Sequence, residues 1–135
     1  MIKVAVCGAL GRMGTAIGRL VSESPDLDLV GGVDVKAGSF YGVPVVEAAR
    51  LDAFLEETKP DVLIDFTIAN ASVGNIKAAA AHGVALVVGR AGSGKTWTLG
   101  LTREAFELAG YQVLGCAPTG IATVGLAEEG FTEAR

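Results

Sequence analysis

The chain is poor in the residues on which metal, redox and nucleic-acid chemistry are usually built. Of its 135 residues, two are cysteine (Cys7 and Cys116) and one is histidine (His82). The cysteines end separate apolar runs and fit no zinc spacing, so both read as small buried thiols. His82 closes an Ala-rich stretch before Gly83, the place of a helix-terminal surface residue rather than a catalytic acid. Eleven Lys and Arg against fifteen Asp and Glu leave a net charge of −4. That balance excludes a basic face for nucleic acid phosphates and argues against an anionic membrane surface. No apolar run approaches the ~20 residues of a membrane span. The first residues enter a strand at once, so no signal peptide is expected, and a soluble, reducing, cytoplasmic setting follows. Aromatics are few, and linkers, repeats and low-complexity stretches are missing.

What is present is apolar sequence and glycine. Half of the residues are apolar, enough for one domain with a real core, and the 19 glycines suit many tight turns. Strands are expected at Ile2–Cys7, Leu27–Val33 (closing on Asp34), Val62–Phe66, Ala85–Val88 and Tyr111–Cys116. Val45-Val46 reads as a short edge strand after a turn-rich stretch from Val35 to Pro44. Helices are expected at Arg12–Ser24, Glu47–Thr58, Asn70–His82 (stopped by Gly83), Lys95–Ala109 (stopped by Gly110) and Thr119–Glu129. The strands are unbroken apolar runs, as in parallel strands covered on both faces. The fold expected over 1–135 is a single α/β domain: a doubly wound, Rossmann-like parallel sheet in three layers. Its main strands run in the order 2-1-3-4-5, with the edge strand outside strand 2.

Gly8-Ala9-Leu10-Gly11-Arg12-Met13-Gly14 follows the first strand and opens the first helix. In such a loop Gly8 permits the turn, Gly11 lets a pyrophosphate approach the backbone, and Gly14 lets the helix pack closely. The helix start then offers free N–H groups to an anion. Asp34 lies 20 residues beyond Gly14, where a carboxylate accepts from the adenosine ribose. A merely structural Gly-rich turn is the alternative.

Residues 6–14, Pro60-Asp61-Val62-Leu63-Ile64-Asp65-Phe66-Thr67 and Val87-Val88-Gly89 resemble the N-terminal domain of dihydrodipicolinate reductase. The resemblance covers 1–89. It implies that Gly11, Arg12 and Met13 hold the pyrophosphate of NAD or NADP, that Asp34 takes the ribose, and that Phe66 and Thr67 lie beside the nicotinamide. Lys36 is placed to meet a 2′-phosphate, whereas Asp34 repels one, so the cofactor preference stays open. Two departures stand out. The family's Thr-Thr-Gly after Val-Val-Gly is replaced here by Arg90-Ala91-Gly92, and the family's substrate domain with its catalytic motif does not follow. Reductase activity is therefore not expected of these residues alone.

A second loop, Gly89-Arg90-Ala91-Gly92-Ser93-Gly94-Lys95-Thr96, fits the Walker A pattern at every position. Its amides would wrap a phosphate, Lys95 would bridge the β and γ oxygens of ATP, and Thr96 would ligate Mg²⁺. The alternative is a Gly-rich turn with a solvated lysine. Residues 90–135 resemble the P-loop segment of superfamily 1 helicases of the RecD and relaxase type, through this loop, Glu104–Glu107, Ala109–Val113 and Ala117-Pro118-Thr119-Gly120-Ile121-Ala122. The other helicase motifs are missing. The two resemblances meet near Gly89-Arg90, so an engineered chimera without the catalytic parts of either parent is expected. Asp65 either caps its turn, as in the reductases, or serves as an outer acid for Mg²⁺ on Thr96. The expected ligand is thus a nucleotide or phosphate, bound without catalysis. Weak ATP hydrolysis or a ligand-free fold are the alternatives, and the apolar Ile121–Leu126 carries a risk of weak self-association.

Overall fold

Val4 to Cys7 are buried one after another, which places β1 (Ile2–Cys7) in the middle of a sheet with both faces covered. The computed structural model describes residues 1–89, 103–104 and 106–113. The chain divides into two compact units, Met1–Arg90 and Ala91–Arg135.

In the first unit β1 leads into α1 (Arg12–Glu23), β2 (Leu27–Asp34), β3 (Gly38–Phe40), β4 (Val43–Glu47), a 3₁₀ turn (Ala48–Arg50), α2 (Leu51–Thr58), β5 (Val62–Asp65), α3 (Ala69–Ala81) and β6 (Ala85–Val88). The sheet order is β3-β4-β2-β1-β5-β6. All neighbouring strands are parallel except β3 and β4. This is the doubly wound, Rossmann-like α/β architecture read from the sequence, with the short strand outside β2 as expected. Among the described residues no helix is long and apolar enough to cross a membrane.

Side chains alternate across the sheet. Val4 and Val6 join Val21 of α1, Leu29, Phe40 and Val45 in one core cluster. Ala5, Cys7, Leu63 and Asp65 point to the other face, where Leu55 and Ile76 are also fully buried. Each such aliphatic side chain contributes about 1.5–3 kcal/mol by leaving water. The helices stop where the backbone requires it. Lys59 turns left-handed (φ 44°) just ahead of Pro60, and Gly83 (φ 68°) ends α3, with Val84 N–H donating back to the Ala79 carbonyl at 2.9 Å.

One element was not legible as such. Val35 to Pro44 reads as turn, yet it contains a hairpin strand. Tyr41 (φ 47°) and Gly42 (φ 78°) make a two-residue turn with both φ positive, the geometry that matches strand twist. Phe40 holds this hairpin down. Its ring fills a slot left by two glycines: a Cβ on Gly18 would lie 2.5 Å from the ring, and one on Gly32 3.0 Å from it.

In the second unit Arg103 pairs with Glu107 at 2.7 Å along one helical face. Gly110 (φ 88°) closes that turn, and the rings of Phe106 and Tyr111 meet edge to face at 5.6 Å. Tyr111–Val113 are not in a strand among the described residues. The remainder of the expected strand and the helix 119–129 lie outside them.

Candidate functional site

The chain leaves β1 at Cys7 and turns back on itself at Gly8 (φ 76°). The Gly8 and Ala9 amides both donate to the Val33 carbonyl, at 2.8 and 3.3 Å, and the Gly11 amide donates to the Gly8 carbonyl at 3.1 Å. Gly11 caps α1 in an extended conformation with no side-chain hydrogen bond. The amides of Arg12, Met13 and Gly14 therefore start a helix without any intrahelical acceptor, which is the anion-binding arrangement. Gly14 sits directly under the turn, where a Cβ would lie 1.9 Å from the Gly8 oxygen. Gly11 is different, since its Cβ would lie 3.3 Å from that oxygen. Packing alone demands Gly14 far more than it demands Gly11.

Asp34 braces the loop from the end of β2. Its Oδ2 accepts from the Leu10 amide at 2.8 Å and its Oδ1 from the Val35 amide at 2.7 Å. Each oxygen keeps a lone pair for a further donor. Lys36 is exposed two residues further on.

The opposite wall comes from β5 and α3. Asp65 is fully buried. Its Oδ1 accepts from the Thr67 amide (2.9 Å) and the Thr67 hydroxyl (2.6 Å), which caps the turn after β5. Its Oδ2 has no hydrogen-bond partner. Thr67 Oγ1 also meets Ser72 Oγ at 3.2 Å and accepts from Asn75 Nδ2 at 3.3 Å. Phe66 lies against Gly89, where a Cβ would stand 2.2 Å from the ring. Between the two walls opens a cleft of about 500 Å³, bordered by Gly8, Gly11, Asp34, Lys36, Thr67 and Asn75 among others.

Cys7 borders the same cleft and is fully buried. Burial pushes its thiol far above the ordinary value of 9.0, and the charges of Asp65 and Asp34 push the same way. The thiol is thus an inert packing group. Among the described residues no three His, Cys, Asp or Glu side chains gather as a metal site.

The structure therefore brings Gly8, Gly11, Asp34, Lys36, Phe66 and Thr67 to one cleft. Gly14 lies beneath the loop, while Arg12 and Met13 are exposed at the start of α1. Gly89 supports Phe66. Ala91, Gly92, Ser93, Gly94, Lys95 and Thr96 lie outside the described residues, and so does any Mg²⁺ arrangement involving Thr96 and Asp65. His82, read as a helix-terminal surface residue, lies 2.9 Å from Asp52.

Residues 2–107 match the sequence profile of the family described as dihydrodipicolinate reductase, N-terminus. The chain belongs to this family. A 4-hydroxy-tetrahydrodipicolinate reductase of Methanoculleus marisnigri is 65% identical over 92 residues, which is 68% of this chain and 36% of the relative. Dihydrodipicolinate reductase from Paenisporosarcina sp. TG-14, solved with dipicolinate bound, superimposes with a TM-score of 0.67 at 25% identity. That superposition covers 92% of this chain and 50% of the other. An engineered D-amino acid dehydrogenase bound to NADP⁺ shares the fold, with a TM-score of 0.63 at 22% identity over 89% of this chain and 36% of the other. The chain thus spans between about a third and a half of the length of these relatives. The reductase likeness does not stop at Gly89, because the family profile continues through the Walker A-like loop to residue 107.

Ser72, Asn75 and the Leu10 amide were not legible as parts of this reductase-family site. Ser72 and Asn75 did leave a trace. They are polar residues three apart on a helix otherwise rich in alanine, and therefore on one face.

Proposed function

We propose that the cleft binds NAD or NADP, and that the chain supplies the nucleotide-binding part of a reductase of the dihydrodipicolinate type. The observation that carries this reading is the uncapped start of α1. The amides of Arg12 to Gly14 lack acceptors, and Gly11, which packing scarcely requires, keeps the approach open. A pyrophosphate supplies the missing acceptors. Arg12, exposed beside them, adds positive charge. Asp34 takes the adenosine ribose hydroxyls on its remaining lone pairs, while Phe66 and Thr67 wall the nicotinamide side. When bound, the cofactor supplies hydride chemistry; the chain's own contribution is to hold and orient it. The likeness to the Methanoculleus reductase and the NADP⁺ of the engineered dehydrogenase agree with this ligand class.

Thermal unfolding with NADPH, NADH, ATP–Mg²⁺ and buffer alone tests the reading through linkage. A rise in midpoint with either dinucleotide, lost in Gly11→Val, is the expected result. No shift with either dinucleotide at millimolar concentration contradicts it. Lys36 is expected to set preference. In Lys36→Glu, NADPH affinity should fall about tenfold, or ~1.4 kcal/mol, relative to NADH, and the gap should shrink with added salt. An unchanged NADPH/NADH ratio removes Lys36 from the site.

The complete Walker A pattern at Gly89–Thr96 favours a second reading, in which ATP or phosphate binds there and the chain is a chimera joined near Gly89-Arg90. The ATP–Mg²⁺ arm of the same assay decides it. This reading requires a shift with ATP that disappears in Lys95→Ala; a flat response rejects it.

A further inference from the structure

Asp65 carries more than its turn needs. Its Oδ1 alone caps the turn after β5, accepting from the Thr67 amide at 2.9 Å and from the Thr67 hydroxyl at 2.6 Å. A cap needs an acceptor, not a charge, and the neutral amide of asparagine supplies one as well as a carboxylate does. Yet the residue is a carboxylate, wholly out of water. Its Oδ2 has no hydrogen-bond partner. Among the described residues no lysine, arginine or histidine pairs with it; the ion pairs seen join His82 to Asp52 and Arg103 to Glu107. A buried, unpaired charge is costly to the fold, so the turn alone does not account for it.

Its position says where the charge acts. Asp65 is the cross-strand partner of Cys7 in the β1–β5 pair, and the two side chains lie on one face of the sheet. Cys7 and Thr67 both border the cleft, so Asp65 adjoins the cleft wall from behind. The charge is felt there, since it helps to push the Cys7 thiol upward. Thr67 and Phe66 are the residues set on the nicotinamide side in the reading above. A nicotinamide ring is positively charged when oxidised and neutral when reduced. A fixed negative charge behind its wall distinguishes the two forms, and burial leaves that charge little screened.

We propose that the Asp65 carboxylate acts on a bound dinucleotide by charge rather than by contact, favouring the oxidised, cationic nicotinamide over the reduced ring. The proposal rests on the dinucleotide reading above. It gives Asp65 a part in hydride transfer as well as in the turn. Loss of a hydride, a hydrogen with its bonding electron pair, to an electrophilic carbon of the substrate leaves the ring positive. A carboxylate already in place stabilises that charge as it develops, without reorganising. Asp65 thereby makes the bound reduced cofactor a stronger hydride donor than a neutral residue at the same position would.

The test is calorimetric titration of the 135-residue chain and of its Asp65→Asn variant with NADP⁺, NADPH and 2′,5′-ADP, which lacks the nicotinamide. Asparagine keeps the acceptor that caps the turn and removes the charge. The wild-type chain is expected to bind NADP⁺ at least as tightly as NADPH. Asp65→Asn should weaken NADP⁺ about tenfold while NADPH and 2′,5′-ADP stay within about twofold of wild type. Equal weakening of all three ligands shows a turn cap and nothing more, and overturns the proposal. So does an unchanged ratio of NADP⁺ to NADPH affinity in the folded variant. A wild-type chain that prefers NADPH overturns it as well, even where the variant fails to fold. Absence of binding by either dinucleotide instead removes the dinucleotide reading, and this proposal with it.

Discussion

Gly14→Ala is expected to cost on the order of 3 kcal/mol of stability, whereas Gly11→Ala should leave stability within about 1 kcal/mol and still weaken dinucleotide binding at least tenfold. The two glycines stand three residues apart in one loop, yet they meet different constraints. A Cβ on Gly14 lies 1.9 Å from the Gly8 oxygen, 2.6 Å from the Gly8 carbonyl carbon and 2.8 Å from the Ala9 Cα. All three are backbone atoms, so no side chain can swing aside; either α1 withdraws from the loop or the Gly8 turn opens. At Gly11 the φ of −77° suits any residue, and the sole near contact is 3.3 Å. What an added methyl obstructs there is the approach of a ligand. Urea denaturation combined with NADPH titration separates the two effects. Equal stabilities for both variants would show that the helix does not pack on the loop as described. Unimpaired binding by a folded Gly11→Ala would place the pyrophosphate elsewhere.

The Cys7 thiol is expected to be silent toward alkylating reagents and to make the fold alkali-labile. It is fully buried against the cleft floor. Burial raises it far above 9.0, reinforced by the charges of Asp65 and then Asp34. In a Cys116→Ser background, iodoacetamide should label the native chain on the order of 100-fold more slowly than the urea-unfolded chain. The pH dependence follows from linkage. The unfolded chain releases the thiol proton above the ordinary value of 9.0 while the folded chain retains it. The thiol's contribution to stability is therefore complete below that pH and is lost progressively above it, by about 1.4 kcal/mol per pH unit. Denaturation at pH 8 and pH 10 should show this extra loss in the parent chain and not in Cys7→Ala. Rapid native labelling, or the same alkaline loss in both chains, contradicts the buried placement.

The parts of the fold that were legible are those whose cause is local. β1 is an unbroken apolar run, the turn after it contains glycines at the spacing that a pyrophosphate loop needs, and Asp34 ends the next strand. Each follows from a few adjacent residues. The β3 strand was not legible, because three residues are too few to show alternation. Its turn also uses Tyr41 at positive φ, a conformation uncommon for a bulky side chain. What holds it, Phe40 over Gly18 and Gly32, joins three positions distant in sequence.

The site divides in the same way. The loop glycines announce themselves, but the bracing of Leu10 by Asp34 and the chain from Asp65 to Asn75 arise only when β1, β2, β5 and α3 are assembled. Asp65 shows the limit clearly: a carboxylate ending a strand fits a turn cap best, yet sequence alone also admits a metal-site acid. The 2.6 Å bond from the Thr67 hydroxyl is what reveals its work in the turn. The Walker A-like stretch was conspicuous because its pattern is strict, yet a pattern of glycines and one lysine does not say which ancestry produced it.

The most direct test of the central claim is a crystal structure of the 135-residue chain with NADPH, read for the position of the pyrophosphate. The claim places it at the amides of Arg12 to Gly14, with the adenosine ribose on Asp34. Phosphates found instead against residues 89–96, or a dinucleotide bound away from Gly11, would contradict it.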